Sequence, residues 1–233
     1  MTQGQTSDQP APDALAAAAV IAILGGTGDQ GRGLARRFSL AGHKVIIGSR
    51  SAERAAAAAA ELAAAGCVGI EGATNAGAAA RGTVVIVAVP WDGHGKLLAA
   101  LAGELDGKIV IDCVNPIGFD SRGAFRLPVP EGSAAEQAAA VLPRSRVVGA
   151  FHHVSAVLLL DPEIGELDLD VLVLGDDREA TDLVQALATR IPGMRGLYAG
   201  RLRNCGQIEG LTANLVSINR RYKAHAGLRI TDI

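Results

Sequence analysis

A chain of 233 residues with 22 basic and 24 acidic side chains carries a formal net charge of −2. That leaves no basic excess for nucleic acid or an anionic membrane surface as main partner. Apolar residues make up 49% of the chain and aromatics only 3%, so a sizeable core is expected, built from Ala, Val, Leu and Ile. The three cysteines, Cys67, Cys113 and Cys205, are far apart, odd in number and without a C-x-x-C pair. This argues against a disulfide framework or structural zinc and fits a reducing cytoplasm.

Residues 1–18, rich in Gln, Ser, Pro and Ala, read as a disordered tail. The apolar run from Ala14 to Leu24 could be mistaken for a signal peptide. It is preceded by Asp8 and Asp13 and by no Lys or Arg, so the positive n-region is missing. No stretch approaches the roughly 20 uninterrupted apolar residues of a membrane span. A soluble, cytoplasmic protein is expected.

A βαβ rhythm follows. Val20-Ile-Ala-Ile-Leu24 is a short continuous apolar run, the pattern of a strand buried on both faces of a parallel sheet. Residues 31–40 predict a helix with Leu34, Ala35 and Phe38 on one side, ended by Gly42. Lys44-Val-Ile-Ile47 predicts a second strand and the alanine tract 52–65 a second helix. Thr83-Val-Val-Ile-Val-Ala-Val89 is a further buried strand, closed by Pro90-Trp91; residues 96–105 predict a helix and residues 108–112 a strand. Residues 116–130 read as a loop dense in Gly and Pro, 133–142 as a helix and 146–151 as a strand. Residues 168–174, 178–190 and 196–199 form one more strand–helix–strand unit, and residues 209–225 a closing helix. The alternation predicts an α/β, Rossmann-type, doubly wound parallel sheet. The expected division is a tail (1–18), a dinucleotide-binding domain (19–152) and a small C-terminal α/β subdomain (153–233) that completes a cleft.

Gly25-Gly-Thr-Gly-Asp-Gln-Gly-Arg-Gly33 contains G-x-G-x-x-G at Gly26, Gly28 and Gly31. In that motif the first glycine permits a tight turn, the second lets a pyrophosphate approach, and the third lets helix and strand pack closely. Here it follows a buried strand and opens a helix, whose free N–H groups would face the phosphates. At the end of the second strand, about 20 residues on, an NAD enzyme presents Asp or Glu to the ribose 2′-hydroxyl. This chain has Gly48-Ser49-Arg50, with Arg54 in the first turn of the next helix. Cations there oppose the helix dipole. A hydroxyl and two guanidiniums suit a 2′-phosphate, so NADP(H) is the expected nucleotide.

Trp91, at a strand end beyond the switch point, and Asn115 in Asp112-Cys-Val-Asn-Pro116 are expected in the crevice where open α/β sheets bind ligands. Trp91 could also serve as a core plug. In Gly149-Ala-Phe-His-His-Val-Ser-Ala156 the adjacent histidines would point to opposite faces of a strand. His152 is the candidate acid or positioning group, motivated by its place after a strand end; a structural role competes with it.

Gly25-Gly-Thr-Gly-x-x-Gly-x-Gly-Leu-Ala35, Gly42-His43, Gly48-Ser-Arg50 and Pro90-Trp91 closely resemble the NADPH-dependent coenzyme F420 reductases. The resemblance continues through Arg122-Gly, Ser133-Ala-Ala-Glu136, Gly175-Asp-Asp177, Ala199-Gly200 and Glu209-x-Leu-Thr212, and covers nearly the whole chain after the tail. It implies reversible hydride transfer between NADP(H) and coenzyme F420, an 8-hydroxy-5-deazaflavin. It also implies that Thr27, Gly28, Asp29 and Gln30 hold the phosphates. Ser49, Arg50 and Arg54 match the 2′-phosphate site. Trp91, Asn115 and Ala156 match positions lining the nicotinamide and deazaflavin cleft, and Ala226 a deazaflavin-contact region. The chain departs from the family pattern at His153 and Ser155. A homodimer is expected from the same resemblance. An NADP-dependent reductase of another small substrate and a noncatalytic NADP(H)-sensing module are the competing readings.

Overall fold

The computed structural model describes residues 11–233. Residues 1–10 of the expected tail lie outside the described residues. The rest of that tail is not disordered: Pro12–Ala18 forms helix α1, with proline in its first turn. Ala16 is fully buried. Alanine is the best helix former and small enough to let α1 lie close to its neighbour.

In chain order the strands are β1 (Val20–Leu24), β2 (Lys44–Ser49), β3 (Ile70–Thr74), β4 (Val84–Val87), β5 (Ile109–Asp112), β6 (Ile117–Asp120), β7 (Gly123–Arg126), β8 (Arg146–Gly149), β9 (Leu169–Gly175) and β10 (Met194–Gly200). The helices after α1 are α2 (Asp29–Leu40), α3 (Ala52–Ala64), α4 (Asn75–Arg81), α5 (His94–Ala100), α6 (Ala102–Leu105), α7 (Ala134–Val141), α8 (Ala156–Leu160), α9 (Arg178–Thr189) and α10 (Cys205–Tyr222). One eight-stranded sheet runs in the order β10-β9-β8-β5-β4-β1-β2-β3, and β6 and β7 pair as a separate hairpin. β1, β4 and β5 are Val/Ile runs because helices cover both faces of the sheet. One core layer gathers Leu34, Phe38, Ala59, Leu159 and Leu187. The other gathers Ala78, Leu98, Leu105, Ala138 and Cys205.

The expected α/β Rossmann-type architecture is present, with one difference. The sheet is mixed: β8 and β9 pair antiparallel, while every other neighbouring pair in it is parallel. An antiparallel return needs no crossover across a sheet face. Residues 150–168 leave β8 at the carboxyl end of the sheet, and within them α8 packs against α2, with Leu159 in the same core layer as Leu34 and Phe38. The elements beyond residue 153 continue the same sheet through β9 and β10.

β3 and α4 have no counterpart in the sequence pattern, since β3 is a half-exposed edge strand without a continuous apolar run. The segment read as a loop over 116–130 holds the β6–β7 hairpin. Its turn is closed by Asp120 Oδ1, which accepts from the N–H groups of Arg122 (2.7 Å) and Gly123 (3.1 Å).

The C-terminal segment is strapped down at Asp170, which has no exposed surface. Its carboxylate accepts a two-point fork from Arg195 (2.6 and 2.8 Å), a bond from Arg229 (3.0 Å) and the Ile230 N–H (2.6 Å). The Arg195 hydrogen bonds are the main reason its pKa falls to about 2; burial opposes the shift, and Ile230 and the arginine charges add to it. The stabilisation is complete above the unfolded value of about 4 and is lost as pH falls toward about 2. Asp170→Asn is expected to cost about 2 kcal/mol, less than a wholly buried pair because both guanidiniums reach solvent. It should also make the tail after residue 222 protease-sensitive. Denaturant unfolding and limited proteolysis check both.

Candidate active-site crevice

The glycine turn leaves β1 at the sheet's carboxyl edge. Gly25 has φ +70°, and a Cβ there would lie 2.7 Å from Ala88 O. So Gly25, not Gly26, takes the left-handed turn conformation. Gly26 donates its N–H to Gly48 O (2.9 Å), bolting the turn to the end of β2. A Cβ on Gly31 would meet Gly26 Cα at 2.6 Å, so the third glycine of the motif is needed for close packing. Gly28 differs: it caps α2, is exposed, and a Cβ there would meet nothing nearer than Gly25 O at 3.6 Å. Its backbone is open to a ligand at the positive end of a twelve-residue helix. Thr27 and Gln30 are half-buried beside it and Asp29 is exposed.

Asn75 is a residue that sequence reasoning missed. It opens α4, is buried, and its Oδ1 accepts from Gly25 N–H at 3.2 Å. No motif marks it, because α4 itself left no readable periodicity.

At the end of β2, Ser49 is buried, and its hydroxyl accepts from Ser51 N–H at 3.4 Å. Ser51 caps α3, accepting from Arg54 N–H (3.2 Å) and donating to Glu53 (2.7 Å). That hydroxyl bond lowers the Glu53 pKa and occupies the one acid of the turn. Arg50 and Arg54 are exposed, and neither joins an ion pair among the described residues. Two unpaired guanidiniums and a hydroxyl beside an open glycine turn form a site for a dianion.

Across the switch point, β4 and β5 end at Val87 and Asp112 in register. Trp91 is half-buried against the core layer that holds Leu98. Asn115 Nδ2 donates to His152 O at 2.7 Å, and Thr212 Oγ1 of α10 donates to the same oxygen at 3.1 Å. Gln30 Nε2 reaches Phe151 O at 3.4 Å. The buried Phe151 is held at φ +64°, and its ring meets Phe38 edge-on at 5.9 Å. A left-handed aromatic residue costs about 1–3 kcal/mol and persists only where its surroundings fix it. The 151–153 turn thus ties α2, β5 and α10 together at the crevice. Asn115 Oδ1 is buried without a protein partner and is free for a ligand donor.

Ala156 opens α8, at the rim. Arg37 of α2 fixes that helix by donating to the carbonyls of Leu158 (2.6 Å), Leu159 (2.9 Å) and Ile164 (2.7 Å). Ala226 lies instead on the C-terminal strap, its N–H donating to Asn219 Oδ1 at 2.7 Å. The glycine turn, the Ser49–Arg54 stretch, Trp91 and Asn115 follow the carboxyl ends of neighbouring strands, and Ala156 opens the helix packed on α2; among the described residues no hydrogen bond joins Ala226 to them.

The structure changes the role open to His152. Its side chain is buried, and neither ring nitrogen has a hydrogen-bond partner. Burial pushes its pKa down to about 4, against the Asp112 charge. That environment favours the neutral imidazole, and the His152 carbonyl, shared by Asn115 and Thr212, helps to organise the crevice. The neighbouring histidines also do not lie on a strand. Both sit in the turn after β8, with His153 Nε2 2.7 Å from Asp170 O.

Glu209 opens the Glu209-x-Leu-Thr212 motif. It is fully buried on α10 and accepts from the first N–H groups of α7, Ala134 (3.0 Å) and Ala135 (3.2 Å). Burial, opposed by those two bonds, raises it to about 7. Among the described residues no group of three or more His, Cys, Asp or Glu could hold a metal ion, and no helix is long and apolar enough to cross a membrane.

Comparison with known proteins bears on this crevice directly. A family model described as NADP oxidoreductase, coenzyme F420-dependent, matches residues 20–116, from β1 to the end of the Asp112–Pro116 stretch. The F420-dependent NADP reductase of Methanothermobacter thermautotrophicus is 43% identical over 222 residues, spanning 91% of this chain and 95% of the relative. That of Methanocaldococcus jannaschii is 40% identical over 224 residues, spanning 91% and 98%. A solved structure from Arthrobacter sp. FB24, described as a candidate F420-dependent NADP reductase, matches with a TM-score of 0.78 at 27% identity. It covers 92% of this chain and 100% of that one. The chain belongs to the F420-dependent NADP reductase family.

Proposed function

We propose that this protein transfers hydride reversibly between NADP(H) and coenzyme F420. The observation that carries the nucleotide half is the unpaired Arg50 and Arg54 beside buried Ser49, one hydrogen bond away from the open Gly28 turn. The deazaflavin half is supported by the names of relatives that align over nearly their whole length.

In this reading the α2 N-terminus, with Thr27, Gly28, Asp29 and Gln30, holds the pyrophosphate. Ser49, Arg50 and Arg54 hold the 2′-phosphate. Trp91 and Asn115 border the nicotinamide, and the free Oδ1 of Asn115 suits an amide or hydroxyl donor. Ala156 and the segment 153–233, with Ala226 on its strap, complete the deazaflavin side. The two coenzymes supply the redox chemistry: NADPH gives a hydride, solvent gives a proton, and NADP⁺ and the dihydrodeazaflavin result. The chain's residues stack the rings at transfer distance and exclude water. No acid is required of His152. A cytoplasmic homodimer fits the same reading.

Two glycines separate ligand binding from packing. Gly28→Ala is expected to fold with a capping loss of about 1 kcal/mol but to raise the Kd for NADPH at least about tenfold. Gly31→Ala should lose stability first, since its Cβ would sit 2.6 Å from Gly26 Cα. Thermal unfolding beside nucleotide titration distinguishes them; equal behaviour of the two variants contradicts the roles assigned.

Arg50→Asp is expected to weaken NADPH about 100-fold while changing NADH by no more than about threefold. Equal loss of both would sink the 2′-phosphate site. Bleaching of the deazaflavin's visible absorbance on adding NADPH tests the redox pair. Nucleotide binding without bleaching would favour another substrate or a sensing role.

A further inference from the structure

Trp91 is the chain's only tryptophan. Its indole lies over the imidazole of His94, the ring centroids 5.5 Å apart and tilted by 32°. His94 opens α5, has no exposed surface, and faces hydrogen-bond acceptors at both ring nitrogens. Nε2 is 2.6 Å from Asp112 Oδ2, and Nδ1 is 3.0 Å from Gln137 Oε1. The orientation of the Gln137 amide follows from its other end, where Nε2 faces both carboxylate oxygens of Glu131 at 3.4 and 3.3 Å. A neutral imidazole donates from one nitrogen only; with two acceptors both satisfied, the ring is an imidazolium.

The charge sits in an adverse place. It is buried, and it lies at a helix N-terminus, where the dipole disfavours cations. Asp112, equally buried at the end of β5, offsets both effects. Its second oxygen accepts from Val114 N–H at 3.0 Å, holding the loop that leads to Asn115. One ion pair thus joins the two loops of the crevice wall, the Trp91 loop after β4 and the Asn115 loop after β5.

We propose that His94 and Asp112 are a positioning pair for hydride transfer, an imidazolium–carboxylate clamp that fixes Trp91 and Asn115 on either side of the nicotinamide. This rests on the crevice reading above and adds to it two residues outside the nucleotide motifs. The groups facing His94 are Asp112 from β5, Glu209 from α10 and, across Gln137 of α7, Glu131; the Asp112 charge also acts on His152. Burial lowers the His94 pKa, but the Asp112 charge and bond, with Gln137 and Glu209, raise it above its ordinary value overall. The clamp is therefore present below that raised value and is lost as pH rises through it.

The single tryptophan reads the clamp without any coenzyme. An imidazolium against an indole face quenches its fluorescence, because it accepts an electron from the excited ring. In the unaltered protein, Trp91 fluorescence is expected to rise in one step centred above the ordinary histidine value of about 6.5. His94→Gln should abolish the step, and Asp112→Asn should shift it down by about one to two pH units. Asp112→Asn should also lower kcat about tenfold while leaving the NADPH KM within about twofold.

A flat titration of the unaltered protein, or a step that survives His94→Gln, would overturn the proposal. So would an Asp112→Asn protein that keeps both the step and kcat. Where a variant does not fold, the titration of the unaltered protein decides by itself. Failure to reduce the deazaflavin would count against the proposed substrate, while the fluorescence step would still decide the clamp.

Discussion

The hydrogen bond from Gly26 N–H to Gly48 O, 2.9 Å long, is the joint on which the candidate site depends. It locks the phosphate-facing turn after β1 to the strand end that carries Ser49 and Arg50. The joint closes only because side chains are missing around it: a Cβ on Gly26, Gly31 or Gly48 would press within about 3 Å of neighbouring atoms. Asn75 then stiffens it from the opposite face of the sheet through Gly25. With the turn placed, Gly28 is left open and the two arginines stand beside it unpaired. In the proposed reading, backbone geometry places the nucleotide and the two arginines select it by its 2′-phosphate.

The second half of the crevice follows from a topological detail. Because β9 returns antiparallel to β8, the 150–168 connection begins at the carboxyl edge, and its helix α8 then lies against α2. The buried 151–153 turn there takes its shape from Phe151 at positive φ and from three side-chain donors, Gln30, Asn115 and Thr212. The donors come from α2, from the loop after β5 and from α10, so the turn registers these three against one another. The buried pair of His94 and Asp112 does the same for the β4 and β5 loops. Polar groups in such surroundings are costly unless fully paired. Asn115 Oδ1 is the buried acceptor of this network left without a protein partner.

Much of this was legible in the sequence, for identifiable reasons. Strands buried on both faces write themselves as Val/Ile runs, so β1, β4 and β5 were visible, and with them the sheet edge that holds the crevice. The glycine spacing and the Ser49–Arg50 pair were visible because each residue type answers a backbone or charge requirement. What periodicity could not show were elements without an apolar stripe: α1, which packs through alanine; β3, at the sheet edge; and α4, which carries Asn75. Burial was equally hidden. Next to a strand end, His152 reads as an acid, a positioning group or a structural residue, and nothing in the sequence marks Asp112 or Glu209 as fully buried. The turn glycine was misplaced by one residue, since Gly25 and Gly26 are identical in sequence and only φ distinguishes them.

The central claim is that two coenzymes meet ring to ring in this crevice, with the protein supplying geometry and no acid–base relay. A single turnover with NADPH deuterated at the transferable C4 position tests it most directly, with the reduced deazaflavin examined for label. Direct transfer predicts one deuterium retained in the deazaflavin and none lost to water. Label appearing in solvent, or unlabelled reduced deazaflavin, would contradict the account.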